Sequence, residues 1–266
     1  MIKLLRGNLK RIMKSATFWI CSVVYLLYGV LRATVYTLDE LWLGNEHIYN
    51  IGFSSSPLTG YFILIFMCVI IGTDFSNNTI RNKIIIGHTK TKIYLSNVIA
   101  FSICAIILNL LYLCITIPTS QTMAVIYLLD AFFHTKDNLY VAKLIVLAVI
   151  LNILTVAFFV SVYTLIAMNI KNVVVSMLCS IAFNVVTIII TYVLLHDILE
   201  LGGSTWWYIV IYFTPVGIDA LIANGTIIDM CSASWAFFIF ITLSTVVLTV
   251  LTAIVGVKIF KKSNIK

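Results

Sequence analysis

Six stretches of about 20 mostly apolar residues dominate this chain, each long enough to cross a bilayer core as a helix. They run roughly over Ala16–Leu38, Pro57–Thr73, Ile93–Ile117, Tyr140–Met168, Asn172–Leu195 and Ala233–Phe260. Of the 266 residues, 62% are hydrophobic and only 10% charged. No water-soluble core of this size would hide so much apolar surface, so lipid must be part of the solvent. The expected fold is all-α and integral to the membrane, with six transmembrane helices in a single domain over residues 1–266.

Charge sets the expected orientation. With the amino terminus in the cytosol, Lys3, Arg6, Lys10, Arg11, Lys14, Arg81, Lys83, Lys90, Lys92, Lys171, Lys258, Lys261, Lys262 and Lys266 all lie inside. These are 14 of the 17 cations, leaving Arg32, Lys136 and Lys143 on or near the outside. Such cation bias in short loops places both termini in the cytosol. The same sorting explains nearly all of the net charge of +7, which therefore does not argue for nucleic-acid binding. Arg32, in the outer part of span one, is expected to snorkel to the outer headgroups.

Residues 1–15 alternate by helical period. Ile2, Leu4, Leu5, Leu9, Ile12 and Met13 fill one half of a wheel, and Lys3, Arg6, Lys10, Arg11 and Lys14 the other. This pattern suits a basic amphipathic helix in the inner headgroup plane, the plainer alternative being a charged flank. Ser54-Ser55-Ser56-Pro57 looks like a helix start after the acidic first outer loop, and Asn169-Ile170-Lys171-Asn172 is a tight turn joining antiparallel neighbours. Residues 196–232 differ from the rest. Gly202-Gly203, the run Trp206 to Phe213, Pro215 and Gly217 suggest one or two short re-entrant helices in the outer leaflet. The aromatics Trp206, Trp207, Tyr208, Tyr212 and Phe213 serve there as interface anchors, or else meet an apolar cargo.

Several chemistries lack their residues. There is no GxxxxGK[ST], HExxH or GxSxG motif, and no metal-spaced His/Cys cluster. No catalytic site and no metal site is expected. His47, His88, His134 and His196 fall in expected loops, which disfavours a haem between spans. Of the cysteines, Cys21, Cys68, Cys104, Cys114 and Cys179 lie in spans as small hydrophobes, and Cys231 near the outer surface has no evident partner. The span interiors hold no Asp or Glu, which weighs against ion-coupled transport. Asn109, Asn152 and Asn184, with Ser161, Thr187 and Thr191, are the polar residues nearest mid-membrane. They serve as hydrogen-bond glue between helices or as the lining of a substrate path.

One polar island interrupts the inner side, over residues 74–93. It runs Asp74-Phe75-Ser76-Asn77-Asn78-Thr79-Ile80-Arg81-Asn82-Lys83 and on through Gly87-His88-Thr89-Lys90-Thr91-Lys92. Ser76, Asn77 and Asn78 offer caps for a short helix. Phe75, Ile80, Ile84, Ile85 and Ile86 give it an apolar side, Arg81 and Lys83 face water or a partner, and Gly87 ends it. A docking surface for a cytosolic partner is the natural use.

From Gly72 to Asn97 the island resembles the inner loop of type 2 ABC exporter permeases, particularly the small Gram-positive ones tied to peptide export and bacteriocin immunity. The likeness rests on the opening Asp74, the core Asn78-Thr79-Ile80-Arg81, Gly87, Lys90-Thr91-Lys92 and Tyr94-Leu95-Ser96. Asp74 stands where Glu is commoner, and Asn78 where Gly is frequent. The six-span layout extends the likeness to the whole chain. The resemblance implies a coupling helix in a groove of a separate ABC ATP-binding subunit, with Asp74, Phe75, Thr79, Ile80, Arg81 and Lys83 at the contact. It also implies that ATP is bound and hydrolysed by that subunit and that no cofactor sits here. A second permease copy or homologue completes the assembly, in the bacterial plasma membrane. The cargo would be an amphipathic peptide or hydrophobic compound moved outward. The rival reading is a membrane scaffold or sensor whose loop recruits a signalling protein and moves nothing.

Overall fold

The computed structural model describes residues 1–43, 59–127, 138–201 and 235–263. The described residues form eight helices and no strand: α1 (Ile2–Lys14), α2 (Ala16–Leu43), α3 (Thr59–Ser76), α4 (Thr79–Ile85), α5 (Lys90–Tyr127), α6 (Asn138–Ile170), α7 (Val173–Leu201) and α8 (Trp235–Lys262). Six of them, α2, α3 and α5 to α8, are long and apolar enough to cross a membrane. The chain is thus a multi-pass membrane protein, helical in its described elements.

Several boundaries depart from the hydropathy edges, because helix continues wherever its backbone hydrogen bonds can, whatever the side chains. Asp74 lies inside α3 rather than after it, so this candidate span holds a buried acid near its end, against the expectation of none. Helix α5 passes through Pro118 to Tyr127 and reaches 38 residues, about 57 Å at ~1.5 Å per residue. That exceeds an apolar layer of about 30 Å, so α5 must tilt or protrude. Helix α7 carries on to Leu201 and takes His196 out of its expected loop. Residues 128–137 between the third and fourth apolar stretches, the Ser54–Pro57 helix start, Cys231, His47, His134 and residues 202–232 of the re-entrant segment lie outside the described residues.

The packing has α5 and α6 at its centre. Helix α2 lies along α5, α8 along α6 and α5, and α3 sits between α2, α6 and α7. Helices α3 and α6 are the most enclosed spans, and α7 and α8 the least. Their outer faces, with Val174, Leu178, Val185 and Ile189 on α7 and Leu243, Val247, Val250 and Ile254 on α8, stay exposed. A shell of branched aliphatics around the bundle is intelligible only against lipid.

Lipid tails are as apolar as leucine, so burial of apolar surface does not drive these helices together; close contact and hydrogen bonds do. Ser161 Oγ meets Thr252 Oγ1 at 2.6 Å, tying α6 to α8. This is the glue expected of such residues. Gly29 on α2 leaves room for the Tyr112 ring, and Gly256 on α8 for the Tyr94 hydroxyl of α5. Tyr94 is fully buried and also lies 6.0 Å from the Phe260 ring.

A methyl group at position 256 would land on the Tyr94 hydroxyl. Gly256→Ala should therefore cost about 1–3 kcal/mol by overpacking, read as a lower thermal unfolding temperature in detergent. Tyr94→Phe in the same background should recover part of the loss, because it removes the obstructing oxygen.

Candidate functional site

Helix α1, the end of α3, helix α4, the start of α5 and the α6–α7 turn meet at one end of the bundle. Each arrives there for a local reason. In α1, Leu4, Asn8 and Ile12 share one face at four-residue spacing and are the buried residues of the helix. Between α3 and α4 the chain turns at Asn78, whose φ of 55° lies in the left-handed region. Asparagine tolerates that region better than most residues, and glycine enters it freely. Asn78 is the N-cap residue of α4, but its side chain makes no capping bond, contrary to expectation. Ser76 likewise bonds back to the Thr73 carbonyl at 3.0 Å. After α4 the chain reverses at Gly87, with φ of 97°, a conformation strained for any residue with a Cβ. At the α6–α7 turn Lys171 adopts φ of 63°, and Asn172 Oδ1 accepts the Val174 and Val175 amides at 3.0 and 3.3 Å.

A polar hub ties these segments together. Asp74, 3% exposed, is ion-paired with Arg11 of α1, and Lys83 Nζ of α4 lies 4.0 Å from the same carboxylate oxygen. Lys83 also donates to Asn8 Oδ1 at 2.9 Å. Asn8 Nδ2 in turn donates to Ser96 Oγ at 3.0 Å and to Asn97 Oδ1 at 2.7 Å on α5. Asn97 Nδ2 reaches Met168 Sδ of α6 at 3.5 Å. Nearby, Lys90 Nζ donates to the Lys261 and Ser263 carbonyls at 3.1 and 2.7 Å. A cation there satisfies the open carbonyls at the end of α8 and suits its negative pole.

The six elbow residues singled out from the sequence divide. Asp74 and Ile80 are buried, Phe75, Thr79 and Lys83 are half-buried, and only Arg81 is exposed. Phe75 and Ile84 pack on the main core around Ile80. Lys83 was expected to face water or a partner, but its side chain is turned inward by Asp74 and Asn8. What the elbow presents outward is Arg81 and Asn82 beside two bare aliphatics, Ile85 at 72% and Ile86 at 76% exposed. Asn8 and Asn97 were missed by sequence reasoning. An amide set between Leu4 and Ile12 on the apolar face of α1 was the available signal.

The three intramembrane asparagines are buried, but they do not come together. Asn109 Oδ1 accepts from the Tyr25 hydroxyl at 3.2 Å, and that hydroxyl also meets Thr59 Oγ1 at 3.0 Å. These residues border a narrow crevice between α2, α3 and α5 whose other walls are apolar. Asn152 is fully buried on α6, and Asn184 faces Gly60 on another side of α3. Arg32 does not simply run out to the headgroups; its guanidinium reaches the Tyr112 hydroxyl at 3.4 Å. Among the described residues no group of His, Cys, Asp and Glu is placed to hold a metal ion.

Neither known protein families nor curated proteins give a match to this chain.

Burial pushes the Lys83 ammonium down to about 8 from its ordinary 10.5; the Arg11 guanidinium adds to the fall and the Asp74 carboxylate opposes it. Between those values the unfolded chain holds a proton that the folded chain has released, so folding gains stability as pH rises through that window. Below about pH 8 the penalty is present in full. Wild type should therefore gain thermal stability from pH 8 to pH 10 relative to Lys83→Met, which lacks the titrating group. Asp74→Asn leaves two enclosed cations without a counter-charge. It should cost about 2–4 kcal/mol, toward the lower part of the buried-pair range because the Arg11 side chain is 27% exposed. Denaturant titration in detergent measures the loss.

Proposed function

We propose that the chain is the membrane-spanning, non-catalytic subunit of an ATP-driven exporter of the type 2 ABC permease kind. It sits in the bacterial plasma membrane with both termini in the cytosol. The carrying observation is the elbow itself: a seven-residue helix braced from behind by the Asp74 hub, presenting Ile85 and Ile86 bare among Arg81, Asn82 and Gly87. Two aliphatics on a polar, cationic end are costly in water. With a rim of charge around them, they suit a small apolar anchor in a protein groove. The groove belongs to a separate ATP-binding subunit, which binds and hydrolyses the nucleotide. Movement imposed on the elbow reaches α1, α5 and α6 through Lys83, Asn8 and Asn97. The exposed Lys3, Arg6, Lys10 and Lys14 of α1 lie toward anionic headgroups of the inner leaflet. The cargo is an amphipathic peptide or hydrophobic compound moved outward, and a second permease copy or homologue completes the unit.

The test is purification of the tagged protein from its native membrane in mild detergent, with identification of bound proteins. An ATP-binding protein with a Walker loop should accompany wild type and be lost from the Ile85→Glu, Ile86→Glu double variant. Both side chains are exposed, so the variant should insert and fold as wild type does. Retention of the ATPase by the double variant would overturn the docking role. A kinase or regulator in place of an ATPase would favour the scaffold reading.

A further inference from the structure

The inward face of α7 is polar although its outer sides are aliphatic. Ser176, Ser180 and Asn184 follow one another at four-residue spacing, and each is at most 2% exposed. They face α3 along a seam made of small groups. Val173 packs onto Gly72, the Cys68 thiol lies 3.6 Å from Ser180 Oγ, and Asn184 faces Gly60. At the far end of the seam Tyr163, reaching in from α6, meets the same glycine. A Cβ at Gly60 would lie 2.7 Å from Asn184 Nδ2 and 2.9 Å from Tyr163 Oη. Both polar atoms are fully buried, and neither has a hydrogen-bond partner among the described residues.

One orphaned polar atom in a membrane protein is a cost; two beside the same glycine point to a shared third partner. Lipid offers neither donors nor acceptors, so the partner has to come from water or protein. We propose that the α3–α7 seam is a hydrated track and that Tyr163 and Asn184, over Gly60, bind a water molecule at its end. A tyrosine hydroxyl and a side-chain amide supply the two or more polar partners that an internal water needs. The serines and the thiol extend the polar surface from there toward Gly72. Hydrogen bonds to water can be exchanged, so α7 can shift against α3 without leaving an amide or hydroxyl bare. The inference stands apart from the transport reading, since it concerns this seam and not the elbow.

The chain itself carries the probes. Hydroxyl radicals generated by X-rays from water inside a protein oxidise side chains next to that water, even when bulk solvent does not reach them. In wild type reconstituted in lipid nanodiscs, Tyr163 should be labelled, while Phe101, equally buried in the apolar core, should not. A charged, water-soluble methanethiosulfonate should likewise modify Cys68 several-fold faster than Cys104, a buried thiol on α5. Asn184→Leu should lower the Tyr163 labelling by removing one anchor of the water. Absence of either signal in wild type, or Tyr163 labelling unchanged by Asn184→Leu, overturns the hydrated seam.

Discussion

A single carboxylate, enclosed near the end of an apolar helix, is the constraint around which one whole end of this molecule is organised. Asp74 is 3% exposed, and an ion so placed is stable only with charge and hydrogen bonds close by. Arg11 supplies the counter-charge, which fixes α1 against the bundle instead of leaving it free at the surface. Lys83 supplies a second cation and so sets the attitude of α4. Because Lys83 also needs an acceptor, Asn8 is drawn in, and through Asn8 the start of α5. Segments distant in sequence are thereby held to one another by charge-assisted bonds rather than by apolar packing alone.

The bundle above that hub uses two kinds of helix contact. Where α8 meets α5, a glycine admits an aromatic ring and the fit is steric: Tyr94 fills the space at Gly256. Where α7 meets α3, the contact is polar and made of small groups, with hydroxyls, a thiol and an amide in line. The first kind resists displacement, since packed side chains have no alternative partners. The second can exchange its hydrogen bonds, which suits a helix that is held on few sides.

Much of this architecture is legible in the sequence. Six candidate spans follow from run length alone, since an apolar stretch of about 20 residues has few other destinations. The helical period of residues 2–14 announced α1, and Gly87 announced the end of the elbow helix. The island was found because it breaks a hydropathy pattern, and its short helix is where the residues suggested. Sequence reasoning went astray where one residue type has two uses. A lysine in a polar loop is equally suited to face a partner or to neutralise a carboxylate. The choice for Lys83 depended on Arg11, Asp74 and Asn8, which lie at other points along the chain. The same ambiguity hid Asn8, which reads as a flaw in an apolar face until its three partners are seen.

Composition and periodicity by themselves determined that the described residues are helical and that six of those helices are long and apolar enough to cross a membrane. Those properties depend on summed transfer free energies and on local backbone geometry, and both are sums over neighbouring residues. Only the tertiary structure decided which cations are spent inside the protein and which stay available. It also decided that Ile85 and Ile86 stand uncovered while Ile80 does not, and that two orphaned polar groups meet over Gly60. Each of these is a pairing between residues far apart in sequence, and such pairings are set by how the helices pack rather than by any pattern along one of them.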